Sequence, residues 1–149
     1  MPSTKPIHIR EAQTQDAGAI AKLSGELGYE ATAENVHKRL GQLLSSPGHG
    51  IFVASSDSDQ VIGWVHVFAS HRLMVDAFAD LGGMVVTESH RGYGVGNQLL
   101  QAAERWARSV GLEKLRIRSK ISRKGAHMFY SSKKYGTIKS QRVFEKTLS

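Results

Sequence analysis

Apolar residues along this chain fall into short runs whose period switches between two and about 3.6. Residues 7–10, Ile7-His8-Ile9-Arg10, alternate as a half-buried strand does. Ile20, Leu23 and Leu27 then follow at helical spacing, with Thr14 or Asp16 placed to cap the helix and Gly28 to end it. Thr32 opens a second helix bearing Val36, Leu40 and Leu43 or Leu44, and Ser45-Ser46-Pro47-Gly48 breaks it. Residues 51–54 and 61–68 read as a strand pair, joined by the polar turn 55–60. Residues 77–86 form a further strand, in which Gly82-Gly83 marks a bulge or a close approach. The clearest helix carries Val95, Leu99, Ala102 or Ala103, Trp106 and Val110, and Gly111 stands at its C-cap. Residues 115–118 are a strand, 126–134 a short helix, and Val143-Phe144 a last strand. Strands and helices mixed in this order predict an α+β domain with one central, mixed sheet.

The chain of 149 residues is expected to form a single domain over 1–149. It has no cysteine, which removes disulfides, thiolate metal sites and a cysteine nucleophile. No apolar run approaches the ~20 residues of a membrane span, and residues 1–6 lack the apolar stretch of a signal peptide. A cytoplasmic location is the expectation. The seven histidines are scattered without metal-ligand spacing on any evident helix face, so no metal is expected.

Charge changes the picture more than composition does. The net charge is +7, but residues 114–149 hold 11 Lys or Arg against one acid, Glu145. The first 113 residues hold 9 basic and 12 acidic side chains. A basic final quarter suits a solvated face, a polyanionic cofactor, an acidic partner or nucleic acid. With 7% aromatic residues and no nucleic-acid motif, the last is the weakest reading, and no nucleic-acid partner is expected.

One stretch carries chemistry. After the strand ending in Val85-Val86, Arg91, Gly92, Gly94 and Gly96 crowd into six residues and a helix begins. Glycine lets the backbone approach a ligand with no Cβ in the way. A helix start offers unpaired N–H groups and the positive end of a dipole. Together they make a site for a phosphate or pyrophosphate. The loop is not a P-loop, because Asn97 and Gln98 follow the last glycine where a lysine is needed. Its Gly-x-Gly-x-Gly spacing is not the dinucleotide fingerprint, and several strands precede it.

Arg91-x-x-Gly94-x-Gly96 after a Val-rich strand resembles the acetyl-coenzyme A motif of GNAT-type N-acetyltransferases. About 30 residues on, Ala126-His127-Met128-Phe129-Tyr130 is similar to that family's second signature, Ala-x-x-Phe-Tyr on a short helix. Ile9-Arg10-Glu11-Ala12, Asp16-Ala17 and Val61-Ile62-Gly63-Trp64 also fit, so the resemblance spans nearly the whole chain. It implies a twisted, mostly antiparallel sheet flanked by helices, whose fourth and fifth strands run parallel and splay apart around acetyl-coenzyme A. It also implies transfer of the acetyl group to a primary amine of a small molecule or peptide, by direct attack in a ternary complex, and a possible homodimer. A coenzyme A-binding module without catalysis is the alternative.

Under this resemblance the backbone of Gly92, Tyr93, Gly94, Val95, Gly96 and Asn97 would hold the pyrophosphate, with Arg91 adding charge-assisted bonds. The edge at Val85 and Val86 would pair with the pantetheine amides. Tyr130 is the implied general acid, donating to the leaving thiolate. Phe129 packs or touches the cofactor, and His127 orients a chain group or reaches it. An acceptor ammonium of pKa near 10.4 must lose a proton. Asp80, on the fourth strand, is the implied base; Glu88, His66 or a water relay are the alternatives. Trp64 and Trp106 belong to the core or a pocket wall, and Tyr29 lies where early helices would cover the acceptor. Three positions depart from the family pattern: Lys120 for a frequent asparagine, Lys133 for leucine and Lys134 for the glycine that ends the short helix. Lysine tolerates that left-handed position poorly, so the turn is expected to shift to Gly136. Lys120 could instead bind phosphate.

Overall fold

The structure, a computed structural model, describes residues 6–26, 28–118 and 124–148. They fall into two compact units, divided between Ile117 and Arg118.

The first unit is a five-stranded sheet in the order β1-β2-β3-β4-β5. Its strands are β1 (Ile7–Glu11), β2 (His49–Ser56), β3 (Val61–Ser70), β4 (Phe78–Val86) and β5 (Leu115–Ile117). Every neighbouring pair is antiparallel except β4 and β5, which are parallel. The expected mixed, mostly antiparallel sheet is therefore present. Helices α1 (Ala17–Glu26) and α2 (Ala33–Leu44) join β1 to β2, and α3 (Val95–Ser109) joins β4 to β5. Among the described residues no helix is long and apolar enough to cross a membrane.

Each sheet face is covered by the helix stripe that its sequence pattern anticipates. On one face Val95, Leu99, Ala103 and Ala107 of α3 pack on Ala54, Ile62, Val65, Val67, Ala79 and Leu81. On the other, Ile20 and Leu23 of α1 and Leu40 of α2 pack on Ile51, Val53, Val61 and Val85. Burying each of the larger aliphatic side chains contributes about 1.5–3 kcal/mol. Trp106 lies on the backbone of β2 at Gly50, where a Cβ would stand 2.7 Å from the indole. That contact is why position 50 carries no side chain.

The turns follow local chemistry. Thr32 caps α2 by accepting the Asn35 N–H at 3.1 Å. Gly28 and Gly111 take left-handed φ of 86° and 83° after α1 and α3, as the sequence predicts. The start of α1 differs from expectation. Residues Thr14–Asp16 form a 3₁₀ turn with Gln13 as its N-cap, and Asp16 caps it from the third position, its side chain turned inward and back toward Gln13. Its carboxylate accepts the Gln13 N–H and both guanidinium nitrogens of Arg10, each at 2.8 Å.

The second unit contains α4 (Lys124–Ser132) and an irregular stretch, 133–148. Two expectations are corrected here. The strand expected at Val143-Phe144 is absent, and both side chains are 88% exposed. Two apolar residues between charged neighbours give no alternating face to bury, and a strand needs one. The turn after α4 does not shift to Gly136: Lys134 itself adopts φ of 69°. Lys134 N–H bonds Ser131 C=O at 3.1 Å and Tyr135 N–H bonds Tyr130 C=O at 3.0 Å, the two bonds of a Schellman cap. The rings of Tyr130 and Tyr135, 6.3 Å apart, supply the accompanying apolar contact. Lys120, discussed above as a phosphate ligand, lies outside the described residues.

Candidate functional site

The glycine loop forms where β4 runs out. Thr87 N–H bonds Ile62 C=O at 2.9 Å, the last rung of the β3–β4 ladder. A 3₁₀ turn, Glu88–His90, then leads through Arg91 to Gly94. Gly92 and Gly94 have φ of 84° and 82°, a region that costs any other residue about 1–2 kcal/mol. A Cβ on either would meet no atom within 4 Å, so the space above the loop is open. Gly94 is the N-cap of α3, and the first helical bond is Gln98 N–H to Gly94 C=O. The amides of Val95, Gly96 and Asn97 consequently have no partner within the helix. Val95, 1% exposed, pins this turn to the core.

Arg91 sits at the mouth of the loop. Its guanidinium is half exposed and lies 3.9 Å from the Glu88 carboxylate, a long, solvated contact that contributes little. Tyr93 stacks obliquely with His90 at 6.5 Å.

Beside the loop, β4 runs on past its partner. Among the described residues its pairing with β5 covers only Ala79↔Leu115, Asp80↔Arg116 and Leu81↔Ile117, whereas β4 continues to Val86. Hydrogen-bonded and non-bonded pairs alternate along an antiparallel ladder. With Thr87 bonded to Ile62, the polar groups of Val85 turn toward β3 and those of Met84 and Val86 turn away. Of the expected Val85-Val86 edge, Val86 thus faces the open side, joined by Met84.

Gly82 is the extra residue of a bulge, because His66 pairs with Gly83 and Val67 with Leu81. Both expectations for Gly82-Gly83 are met. A Cβ on Gly82 would stand 2.6 Å from His66 Nδ1, and one on Gly83 would stand 2.7 Å from Trp64 Cη2. Trp64 reaches this place because its indole N–H bonds Ser24 Oγ on α1 at 3.2 Å. Ser24 is fixed in turn by its bond to Ile20 C=O.

His66, Phe68 and His49 lie on the same sheet face as Trp64. His49 Nδ1 and His66 Nε2 are 2.9 Å apart and their rings stack at 5.2 Å; Phe68 lies within 5.6 Å of both. Burial first, and then His49, lower the pKa of His66 from 6.5 to about 4, against an upward pull from Asp80. Asp80 is only 2% exposed. Sequence reasoning singled out His66 and Asp80 but missed His49. The signal was the strand pairing of 51–54 with 61–68, whose register places 49 beside 66 on one face.

Tyr130, Phe129 and His127 lie on α4 in the second unit. Phe129 and Tyr130 meet edge to face at 5.4 Å, and Lys133 Nζ stands 5.8 Å above the Phe129 ring. Tyr29 is 57% exposed beyond α1. Among the described residues no cluster of three or more His, Asp or Glu could hold a metal ion.

A short parallel pair, a β4 strand that runs on past it and a helix start with amides unpaired within the helix make up the geometry beside the glycine loop. The acetyltransferase (GNAT) family model matches residues 17–136, and the chain belongs to that family. It is an N-acetyltransferase. It is 40% identical over 137 residues to an uncharacterized N-acetyltransferase, YhdJ, of Bacillus subtilis (strain 168), covering 90% of this chain and 94% of that one. It is 27% identical over 142 residues to an aminoalkylphosphonate N-acetyltransferase of Salmonella typhimurium, covering 85% and 83%. The fold matches that of the aminoglycoside N-acetyltransferase AAC(6')-Iy in complex with coenzyme A, with a TM-score of 0.87, 17% identity and 99% coverage of both chains.

Proposed function

We propose that this chain moves the acetyl group of acetyl-coenzyme A to a primary amine of a small molecule or peptide, by direct attack in a ternary complex. The observation that carries this reading is the open space over Gly92 and Gly94, with the amides of Val95, Gly96 and Asn97 at the helix start and the Met84 and Val86 edge alongside. The pyrophosphate accepts bonds from those amides, and Arg91 adds a charge-assisted one. The pantetheine amides extend the sheet along Met84 and Val86, as an added strand would. Phe129 serves as a packing contact for the cofactor. The Tyr130 hydroxyl gives its proton to the departing thiolate. Asp80 is the carboxylate that serves the acceptor amine, since its charge favours a proton on whichever group takes it. Relatives named for aminoglycosides and for an aminoalkylphosphonate support a small-molecule acceptor.

Isothermal titration with acetyl-coenzyme A tests the loop, with Gly94→Asp as the variant. Micromolar binding to the wild type, abolished in the variant by strain and by a carboxylate facing the phosphates, is expected. Absence of binding to the wild type would end the reading. Binding without transfer to any amine in a broad screen would favour a non-catalytic coenzyme A module.

A further inference from the structure

His66 and His49 are not explained by packing alone. Two imidazoles hydrogen-bonded across neighbouring strands sit on the sheet face where α1 and α2 pack, next to the last β4–β5 pair. We propose that His66 and His49 form the proton exit of the acceptor site: His66 Nδ1 takes the proton from the attacking amine, and its Nε2 proton passes to His49 Nδ1. This inference rests on the acetyl-transfer reading above.

Position comes first. His66 Nδ1 occupies the space that a side chain at Gly82 would fill. Gly82 is exposed, is bulged, and is the first β4 residue past the last β4–β5 pair, Leu81↔Ile117. The bulge therefore brings a ring nitrogen to the end of the β4–β5 pairing, beside the edge assigned to the thioester arm. The connection comes second. The His66 Nε2 to His49 Nδ1 distance of 2.9 Å suits a hydrogen bond, and His49 is half-buried, within reach of solvent.

Electrostatics decide between storing the proton and passing it on. With its pKa near 4, the His66 ring is neutral at pH 7 and a poor place for a proton to rest. A relay avoids the difficulty, because the ring gains a proton at Nδ1 as it loses one at Nε2. The charged and titratable groups around it are His49 from β2, Asp80 from β4, and Arg116 from β5, which pairs with Asp80. The Arg116 guanidinium lies 3.9 Å from the Phe78 ring centre. Asp80 pulls the proton affinity of His66 upward, which favours the ring at the moment of transfer.

The step balances. The amine nitrogen bonds to the thioester carbonyl carbon, and the carbon–sulfur bond breaks. The bound ammonium gives one proton to His66 Nδ1, the His66 Nε2 proton goes to His49 Nδ1, and His49 releases its Nε2 proton to water, which frees the nitrogen to attack. The thiolate takes the Tyr130 proton, and the second proton lost by the nitrogen returns to the tyrosinate through water. The products are an amide and coenzyme A.

Two measurements test the relay. The first is ¹⁵N NMR of the histidine rings in the wild-type protein with acetyl-coenzyme A. His66 protonated at Nε2 and bare at Nδ1 is expected; the opposite tautomer would overturn the proposal, and this result needs no acceptor. The second is the rate against pH for His66→Gln and His49→Gln, with kanamycin and 2-aminoethylphosphonate as acceptors. A fall in kcat of about 10²-fold at pH 7 is expected for His66→Gln, shrinking toward pH 10 as the amine becomes free base. Acetyl-coenzyme A binding should be unchanged, and imidazole should restore turnover to His66→Ala. Full activity in His66→Gln, or a loss that is equal at every pH and not rescued, would overturn it. Failure of the wild type to bind acetyl-coenzyme A would instead sink the underlying function.

Discussion

The indole of Trp64 lies so close to Gly83 that a methyl group on Gly83 would stand 2.7 Å from Trp64 Cη2. The contact fixes the height of β4 at the start of its free edge, because Trp64 is held from behind by Ser24 on α1. Gly83→Ala should therefore act as overpacking. A loss of about 1–3 kcal/mol is expected, together with weaker acetyl-coenzyme A binding as the edge shifts. Thermal unfolding and titration of the variant measure both. Unchanged stability would mean that the indole moves aside freely.

Lys134 occupies the position where a glycine normally ends a helix, at φ of 69°. The two Schellman bonds are in place, so the conformation is retained at a cost. Lys134→Gly should remove roughly 1 kcal/mol of strain and raise Tm by about 2–4 °C. Lys134→Ala, which keeps the Cβ, should bring no gain. Equal melting of Lys134→Gly and the wild type would show that the lysine is unstrained there.

Much of this architecture is legible in the sequence. The helical stripes of α1, α2 and α3, the glycine stops at 28 and 111, and the bulge at Gly82-Gly83 are local signals that tertiary structure obeys. What escaped depends on partners far along the chain. Asp16 looks like a helix cap and does accept the Gln13 N–H, but nothing local announces that Arg10, on β1, also bonds both its oxygens. Val143-Phe144 looks like a strand until no face is found for it to cover. The same holds for the site. The loop glycines announce themselves through spacing, whereas the link from His49 to His66 exists only through the register of β2 on β3. Which of Val85 and Val86 faces outward is likewise a matter of ladder phase.

The bidentate Arg10–Asp16 pair gives acid stability a defined sign. The Arg10 bonds, foremost, hold the Asp16 carboxyl below its ordinary range. A depressed carboxylate stabilises the fold above its unfolded value of about 3.9, and that contribution is lost as pH falls through the lower folded value. Asp16→Asn should cost about 2 kcal/mol at pH 7, a gap that narrows as pH falls below the ordinary carboxylate value and on through the lower folded one. Denaturant unfolding of both proteins across that range measures it.

His66 acts in a higher window. Its folded pKa near 4 lies below the ordinary 6.5, so the unfolded chain binds the extra proton between those values. Stability is present above 6.5 and falls as pH drops toward 4. His66→Gln should flatten that limb while leaving the steeper loss below it, which belongs to Asp16. An unchanged limb in the variant would show that His66 does not resist protonation in the folded protein.

Tyr130→Phe separates chemistry from architecture, because phenylalanine keeps the ring contacts with Phe129 and Tyr135. If the hydroxyl donates to the thiolate, kcat should fall by about 10²-fold while acetyl-coenzyme A binding and Tm stay unchanged. The loss should be smaller with a thioester donor whose leaving thiol is more acidic, since such a thiolate needs less help to depart. Stopped-assay rates with acetyl-coenzyme A and with an activated thioester give the comparison. Equal kcat for Tyr130→Phe and the wild type across pH would assign Tyr130 to packing, and the thiolate would then take its proton from water.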